Sequence, residues 1–191
     1  MKITGGTAAG IILDTPRNMK VRPTGARAKQ ALFNSLHSAG LLADTVVVDL
    51  FSGTGGLGLE AASRGASEVY LVEKSSVHCR MALKNIEKLQ RSGVSAGIRC
   101  IRTDACSSPL HLASIAGAVN LIFADPPYAE SVFYFSRLLT NESFAEWGRG
   151  SLLVWEQPSD ATLPSAGLEL LWETERKRSF GGITFIFLKV R

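Results

Sequence analysis

The chain has 191 residues, of which 46% are apolar and 20% are charged. This length fits one folded domain, and the composition excludes a disordered or fibrous protein. Three cysteines, Cys79, Cys100 and Cys106, match neither a disulfide framework nor a paired metal site. The sequence shows no apolar run of about 18 residues and no signal-peptide pattern. We therefore expect a cytoplasmic, monomeric protein with reduced thiols, no metal and no contact with a membrane.

The formal net charge of +4 is unevenly distributed along the chain. Residues 1–36 contain six basic side chains and one acidic side chain, whereas the remainder contains 15 basic and 16 acidic ones. The excess therefore lies in the first fifth of the chain. It indicates either a basic appendage that contacts a polyanion or a solvated basic face, and charge alone does not choose between them. We divide the chain into a basic extension, residues 1–40, and a body, residues 41–191.

The extension predicts a hairpin followed by a helix. Residues 1–4 and 10–13 read as two short strands, with a turn at Gly5 and Gly6. Thr24 is expected to cap a helix over residues 25–37. Apolar side chains recur on one face of that helix, at Ala28, Ala31, Leu32 and Leu36.

In the body, short apolar strands alternate with helical patterns. The strands are predicted over residues 46–50, 68–72, 98–101, 119–124 and 151–155, and the helices over residues 57–64, 77–90, 110–115 and 131–139. Residues 168–173 and 183–190 predict an antiparallel hairpin that turns at Gly181 and Gly182. The expected fold class is α/β: a Rossmann-like, doubly wound, mostly parallel seven-stranded sheet with one antiparallel strand.

The first strand of the body leads into a glycine-rich turn. Gly53, Gly55 and Gly58 match the pattern G-x-G-x-x-G, in which glycines permit a tight strand-to-helix turn and a close approach by a ligand. The pattern alone is weak, because a simple tight turn or a nicotinamide-cofactor site would also satisfy it.

Acidic residues at the ends of the strands separate these interpretations. Asp49 precedes the glycines and would repel a pyrophosphate, but it suits the ammonium and sulfonium of S-adenosylmethionine. Glu73 ends the next strand, where a carboxylate accepts hydrogen bonds from the two ribose hydroxyls of either cofactor. Asp104 follows the third strand and is predicted either to accept from an adenine amino group or to cap a helix. Asp49 favours the methyl donor.

The fourth strand ends in Asp125, Pro126, Pro127 and Tyr128. The two prolines hold the loop extended and offer no N–H donor, so the loop presents acceptors beside an aromatic ring. Such a loop would hold the exocyclic NH2 of a planar base, with Tyr128 stacked on the base and the nitrogen aimed at a methyl sulfonium. Catalysis would then come from orientation and desolvation. A strand-ending turn is the alternative, but the position on the fourth strand favours the catalytic interpretation.

Together these motifs resemble the amino-group branch of the Rossmann-like, S-adenosylmethionine-dependent methyltransferases. Within that branch the chain resembles the RsmD family of bacterial 16S rRNA guanine-N2 methyltransferases. The residues that carry this narrower resemblance are Ile3-Thr4-Gly5-Gly6, Arg22-Pro23-Thr24 with Arg27, Ala31-Leu32-Phe33-Asn34, Leu57-Gly58-Leu59-Glu60-Ala61 and Ser63-Arg64-Gly65-Ala66.

The resemblance implies a role for each matching residue. A cofactor site would comprise Asp49, Phe51, Gly53, Gly55, Gly58, Glu73 and Asp104. The target guanine would lie against Asp125, Pro126, Pro127 and Tyr128, and the RNA would enter beside Arg22, Thr24, Arg27 and Lys29. The chain departs from the family at Thr7, Ala8, Ala9 and Ile11, where basic residues are usual, and at Lys29-Gln30, where Arg-Glu is common.

One further prediction follows from the expected topology. If the strand over residues 168–173 runs parallel to the core, Arg176, Lys177 and Arg178 lie in the hairpin turn above the active-site cleft. The alternative is a solvated turn whose charge is balanced by Glu173 and Glu175.

We therefore predict methyl transfer from S-adenosylmethionine to a guanine N2 in 16S rRNA, in naked form or in a 30S particle. No cysteine lies in either motif, which argues against a covalent nucleophile. The alternative functions are the same methyl transfer to DNA adenine or protein glutamine, and non-catalytic binding of RNA. The absence of a separate target-recognition domain speaks against DNA, and the intact acidic motifs speak against a non-catalytic module.

Overall fold

The computed structural model describes residues 1–16, 23–162, 164 and 168–191, and only the backbone of residues 23 and 24. The prediction for Arg22 lies outside the described residues. The strands, in chain order, are β1 (Val46–Asp49), β2 (Glu68–Val72), β3 (Gly97–Ile101), β4 (Leu121–Ala124), β5 (Leu152–Pro158), β6 (Trp172–Phe180) and β7 (Ile183–Val190). They form a seven-stranded sheet in the order β3-β2-β1-β4-β5-β7-β6.

The strand directions agree with the prediction of a doubly wound sheet. β1 to β5 are mutually parallel, β7 is antiparallel to β5, and β6 pairs with β7 in an antiparallel hairpin. β6 therefore runs parallel to the core, at the edge of the sheet. The turn between β6 and β7 contains Gly181 and Gly182, as predicted, and both have positive φ.

Helices cover both faces of the sheet. They are α1 (Pro23–Ser38), α2 (Gly58–Ser63), α3 (Ser76–Arg91), α4 (Ser108–His111), α5 (Ser131–Leu139), α6 (Glu142–Trp147) and α7 (Leu168–Leu171), with 3-10 turns at Ala105–Ser107, Ala113–Ile115 and Tyr128–Glu130. Side chains of α1, α2 and α3 pack in one core cluster, and those of α5 and α6 pack in another. We call the side covered by α1, α2 and α3 the N-terminal face.

Alternation along the buried strands assigns their side chains to these two faces. Val47, Phe123 and Val154 belong to the cluster on the N-terminal face, whereas the intervening Ile122 and Trp155 belong to the opposite cluster. Hydrophobic burial on both faces explains why β1 and β4 read as continuous apolar runs in the sequence.

The extension docks on the body through buried polar groups. Two carboxylate oxygens of Glu60, which is fully buried in α2, accept from the backbone N–H and hydroxyl of Thr4 at 2.8 and 2.6 Å. The same carboxylate pairs with Lys29 at 3.0 Å and Arg64 at 2.8 Å. These partners outweigh burial and hold the pKa of Glu60 below its ordinary value. The extension is therefore fixed to α2 at this point.

A second buried polar side chain ties the extension to the glycine turn. The Asn85 side chain accepts from the backbone N–H of Asp14 at 2.7 Å and donates to the carbonyls of Asp14 and Thr54 at 3.0 and 2.9 Å. The predicted hairpin is present in reduced form, as a bridge between Lys2 and Ile12. The division at about residue 40 stays a prediction.

Four local predictions differ from the structure. Thr24 lies inside α1, because the helix begins at Pro23, where a proline needs no intrahelical N–H partner. Residues 168–171 form a helical turn, so the edge strand begins at Trp172. Arg176, Lys177 and Arg178 therefore lie within β6 and not in the hairpin turn. Helix α6 was not predicted, because its six residues are too short for a clear helical period.

Candidate active site

The glycine turn connects β1 to α2 and leaves open space at its tip. Gly53 and Gly55 adopt positive φ values of 54° and 94°, which other residues rarely adopt. A Cβ at Gly58 would lie 2.3 Å from Leu71 Cδ2, so this glycine permits α2 to pack closely against β2. A Cβ at Gly53 would meet no heavy atom of the described residues within 4 Å. The turn thus presents an open backbone surface at Gly53.

Asp49 lies beneath this turn with one satisfied and one unsatisfied oxygen. Its Oδ2 accepts from the backbone N–H of Gly58 at 2.8 Å. Its Oδ1 is buried and meets no donor among the described residues. Burial, followed by the charges of Asp125 and Glu73, raises the pKa of Asp49 to about 7. A buried acceptor without a donor costs free energy, so this oxygen favours a ligand that brings a positive charge or an N–H.

Glu73 forms the second acidic wall of the site, at the end of β2. Its Oε2 accepts from the Gly53 N–H at 2.9 Å and its Oε1 accepts from the Ser75 N–H at 2.7 Å. These bonds orient the carboxylate beside the glycine turn. Each oxygen keeps a further lone pair for a ligand hydroxyl.

Asp104 caps a helical turn, which is one of the two roles that the sequence predicted for it. Its Oδ1 accepts from the Cys106 N–H at 2.9 Å and begins the 3-10 turn at Ala105–Ser107. The capping bond leaves Oδ2 available to another donor, and the adenine contact stays a prediction.

The loop after β4 brings a fourth carboxylate to the same edge of the sheet. Asp125 is half-buried, and no hydrogen bond to its carboxylate is found within the described ranges. Burial raises the pKa of Asp125 to about 7. Pro126 is buried, while Pro127 and Tyr128 are exposed, so the loop presents an aromatic ring at the surface three residues after Asp125.

A fifth carboxylate, Glu156 on β5, is not predicted from the sequence. β4 and β5 are in parallel register, with Ala124 beside Trp155, so Asp125 and Glu156 follow at the same level. Burial, together with the charges of Asp125 and Asp49, raises the pKa of Glu156 well above its ordinary value. A signal was available: Glu156 follows the apolar run of β5 just as Asp125 follows that of β4.

An aromatic pair lies beside the glycine turn on the face of the sheet opposite Asp49. Phe51 packs edge-on against Tyr134 of α5, with ring centroids 4.8 Å apart. Lys74 donates to the Tyr134 hydroxyl at 3.0 Å and lies 3.5 Å from Glu130. Phe51, which the family resemblance assigns to the cofactor site, therefore has a fixed position beside the glycine turn.

The residues that were predicted to contact RNA differ in their exposure to solvent. Arg27 is exposed on α1, but Lys29 is buried, where its ammonium donates to the Lys2 carbonyl at 2.9 Å and pairs with Glu60. An RNA contact through Lys29 is not supported by this placement, because its charge is already neutralised inside the protein. The Thr24 side chain lies outside the described residues.

The three basic residues of β6 also differ from one another. Arg176 is half-buried, with its guanidinium stacked 4.3 Å above the ring of Phe187. A register shift at Glu175 places Arg176 opposite Phe187 and Arg178 opposite Phe185, both on the N-terminal face. Lys177 lies on the other face, opposite Ile186. Lys177 and Arg178 are exposed.

Several kinds of chemistry find no support in the described part of the chain. Within it, no group of three or more His, Cys, Asp or Glu side chains is arranged to hold a metal ion. Burial raises the pKa of Cys100 to about 12 and that of Cys106 to about 11, so neither thiol is a ready nucleophile at neutral pH. No helix among the described residues is long and apolar enough to span a membrane.

The sheet order, the glycine turn over Asp49 and the Asp125 loop define the class: a Rossmann-like methyltransferase fold. The "rRNA methyltransferase aviRa" of Streptomyces viridochromogenes shares this fold, with a TM-score of 0.70 at 14% identity over 96% of this chain and 91% of that chain. A hypothetical protein of Thermus thermophilus matches with a TM-score of 0.72 and 27% identity over 100% and 99% of the two chains.

The family model described as "Conserved hypothetical protein 95" matches residues 1–189, and the chain belongs to this family. The "Ribosomal RNA small subunit methyltransferase D" of Escherichia coli K12 is 28% identical over 97% of this chain and 87% of its own length. The protein of the same name from Haemophilus influenzae is 30% identical over 67% and 64% of the two lengths. The predicted family and fold class are thereby confirmed.

Proposed function

We propose that this protein transfers a methyl group from S-adenosylmethionine to the exocyclic N2 of a guanine in small-subunit rRNA. The observation that carries the proposal is the row of carboxylates at the end of β1, directly after β4 and within β5. These are Asp49, Asp125 and Glu156, and their free oxygens meet few protein donors. The relatives named above, whose names specify small-subunit rRNA, support the choice of substrate.

The cofactor half of the site fits S-adenosylmethionine. The unsatisfied Oδ1 of Asp49 would accept from the ammonium or lie near the sulfonium, while Glu73 would accept from the ribose hydroxyls. Open space at Gly53 allows a ligand to approach the backbone closely. When bound, S-adenosylmethionine supplies an electrophilic methyl group on its sulfonium.

The substrate half would orient the guanine amino group towards that methyl. Asp125 accepts one N–H of the amine, and the Pro126 carbonyl is a candidate acceptor for the other. The Pro127 carbonyl already accepts from the Glu130 N–H at 2.8 Å. Holding both N–H bonds turns the nitrogen lone pair out of conjugation with the ring. As the N–CH3 bond forms, the S–CH3 bond would break and S-adenosylhomocysteine would leave, and the surplus proton of the nitrogen would pass to the Asp125 carboxylate that holds this N–H. The rate gain comes from orientation and from desolvation of the amine.

Pre-existing negative charge at this edge also favours the reaction electrostatically. The amine nitrogen becomes positive as it accepts the methyl group, and a carboxylate placed against its N–H stabilises that charge. Burial raises the pKa of Asp49 and of Asp125 to about 7, so both carboxylates have a deficit of solvation in the unliganded site. A cationic cofactor would relieve this deficit, so the cofactor and the site fit each other.

The test is transfer of a labelled methyl group to 30S particles isolated from cells that lack the modification. We expect incorporation by the native protein and a loss on the order of hundredfold in Asp125→Ala. The matched control is Asp44→Asn, because Asp44 is exposed at the amino end of β1, away from the cleft. Incorporation into DNA or protein, but not into rRNA, would overturn the assignment.

A further inference from the structure

Glu156 extends the row of carboxylates towards the substrate side of the cleft. The strand order β2-β1-β4-β5 places it on the far side of Asp125 from Asp49 and Glu73. The register continues from the Phe123–Val154 pair to the Ala124–Trp155 pair, so Asp125 and Glu156 are neighbours on adjacent strands. Neighbouring parallel strands lie about 4.8 Å apart, which is within the width of one base.

The side chain of Glu156 projects from the N-terminal face, the side on which Asp49 lies. Val154, two residues earlier, packs in the cluster of that face, and Phe185, opposite Glu156 on β7, does the same. Asp49 and Asp125 each follow a residue of the same cluster by two positions, Val47 and Phe123, so the three carboxylates lie on one face of the sheet near its carboxyl edge. The charges of Asp49 and Asp125 also act on Glu156.

None of the described residues explains the presence of an acidic side chain at position 156. Among them, no donor hydrogen-bonds to the Glu156 carboxylate, and no Lys, Arg or His pairs with it. A half-buried acid beside two other acids destabilises the unliganded protein. An N–H donor on a ligand would satisfy this acceptor.

We propose that Glu156 selects guanine by accepting a hydrogen bond from N1–H of the base whose N2 amine is held by Asp125. This inference rests on the proposed function and adds a specificity-determining residue to it. Guanine is the base in which a ring N–H adjoins the exocyclic amine, since adenine and cytosine carry a ring acceptor next to theirs. A carboxylate would repel that acceptor lone pair. Glu156 therefore favours guanine and opposes the other amino bases.

The test keeps the C2 amine and replaces the ring N–H by a lone pair; O6 is lost as well, so the role of Glu156 is read from the change in base preference between the native protein and its variant. After the methylated nucleotide is mapped, 30S particles are reconstituted with 16S rRNA that carries either guanine or 2-aminopurine at that position. 2-Aminopurine retains the amine at C2 but has a lone pair at N1. Initial rates of methyl transfer are compared for the native protein, Glu156→Gln and the control Glu169→Gln, whose side chain is exposed on α7.

We expect the native protein and Glu169→Gln to prefer guanine by roughly tenfold to hundredfold, the usual range for base discrimination by one well-placed polar pair. Glu156→Gln, whose amide donates to N1, should reduce this preference to within about threefold. Binding of S-adenosylhomocysteine by each variant reports on the fold and the cofactor half, and it should stay unchanged.

The outcomes separate this inference from the proposed function. If the native protein methylates neither particle, the proposed function fails, and the inference fails with it. If the native protein methylates both particles equally, or if Glu156→Gln keeps the full preference for guanine, only the role of Glu156 is overturned. Loss of S-adenosylhomocysteine binding in Glu156→Gln also overturns it, because the residue would then serve the fold or the cofactor.

Discussion

Replacing Asp49 by Asn should stabilise the unliganded protein while it removes cofactor binding. Burial raises the pKa of Asp49 from its ordinary value of 3.8 to about 7, so holding this carboxylate ionised lowers the stability of the folded protein. Because the folded state binds the proton more tightly than the unfolded state, this destabilisation grows as the pH rises from 4 to 7. It reaches about 4 kcal/mol at pH 8.5 and about 2 kcal/mol at pH 5.5.

An asparagine in this position keeps the acceptor for the Gly58 N–H, which lies 2.8 Å from Oδ2, but carries no charge. Urea unfolding of Asp49→Asn should therefore show a gain in the free energy of unfolding that is larger at pH 8.5 than at pH 5.5. S-adenosylmethionine binding, measured by calorimetry, should be lost. Asp44→Asn, at an exposed position, should change neither quantity. A variant that is less stable than the native protein at both pH values would refute the reasoning.

Four further predictions test the surroundings of the site. Gly58→Ala, whose Cβ would lie 2.3 Å from Leu71 Cδ2, should lower the free energy of unfolding by about 1–3 kcal/mol in urea. Glu60→Gln leaves the buried Lys29 without its ion-pair partner and should lower the free energy of unfolding by about 3 kcal/mol. An unchanged midpoint of urea unfolding would contradict this. The value of kcat/KM should rise about tenfold per pH unit below about pH 7 and then level off, because Asp125 must ionise to accept the amine N–H. A flat pH profile would contradict this role of Asp125. Arg178→Gln should weaken RNA binding and reduce its salt slope by about 1, measured by titration at several salt concentrations, and an unaltered slope would exclude contact with a phosphate.

Much of the fold could be predicted because both faces of the sheet are buried. Short apolar runs therefore mark β1, β2 and β4, and a 3.6-residue period marks α3 and α5. The errors fall where this signal is weak. Three leucines, Leu168, Leu170 and Leu171, read as part of a strand but lie in a helical turn. β6 is an edge strand with exposed, charged side chains, so its start could not be read from hydrophobicity.

The site residues could be predicted where a short continuous motif contains them, as in the glycine turn and the Asp125 loop. It was not predictable where the partner comes from a distant part of the chain. Lys29 reads as a surface cation in the sequence, yet the fold buries it against Glu60, 31 positions later. Glu156 carries no motif of its own, and only the register of β5 beside β4 brings it to Asp125.

The central claim is that the Asp125 loop directs a methyl group to N2 of a guanine. Nucleoside mass spectrometry of 16S rRNA from treated 30S particles tests it most directly. The account predicts that N2-methylguanosine appears with the native protein and with Asp44→Asn, and is absent with Asp125→Ala. A methyl group on another atom, or N2-methylguanosine formed equally well by Asp125→Ala, would contradict it.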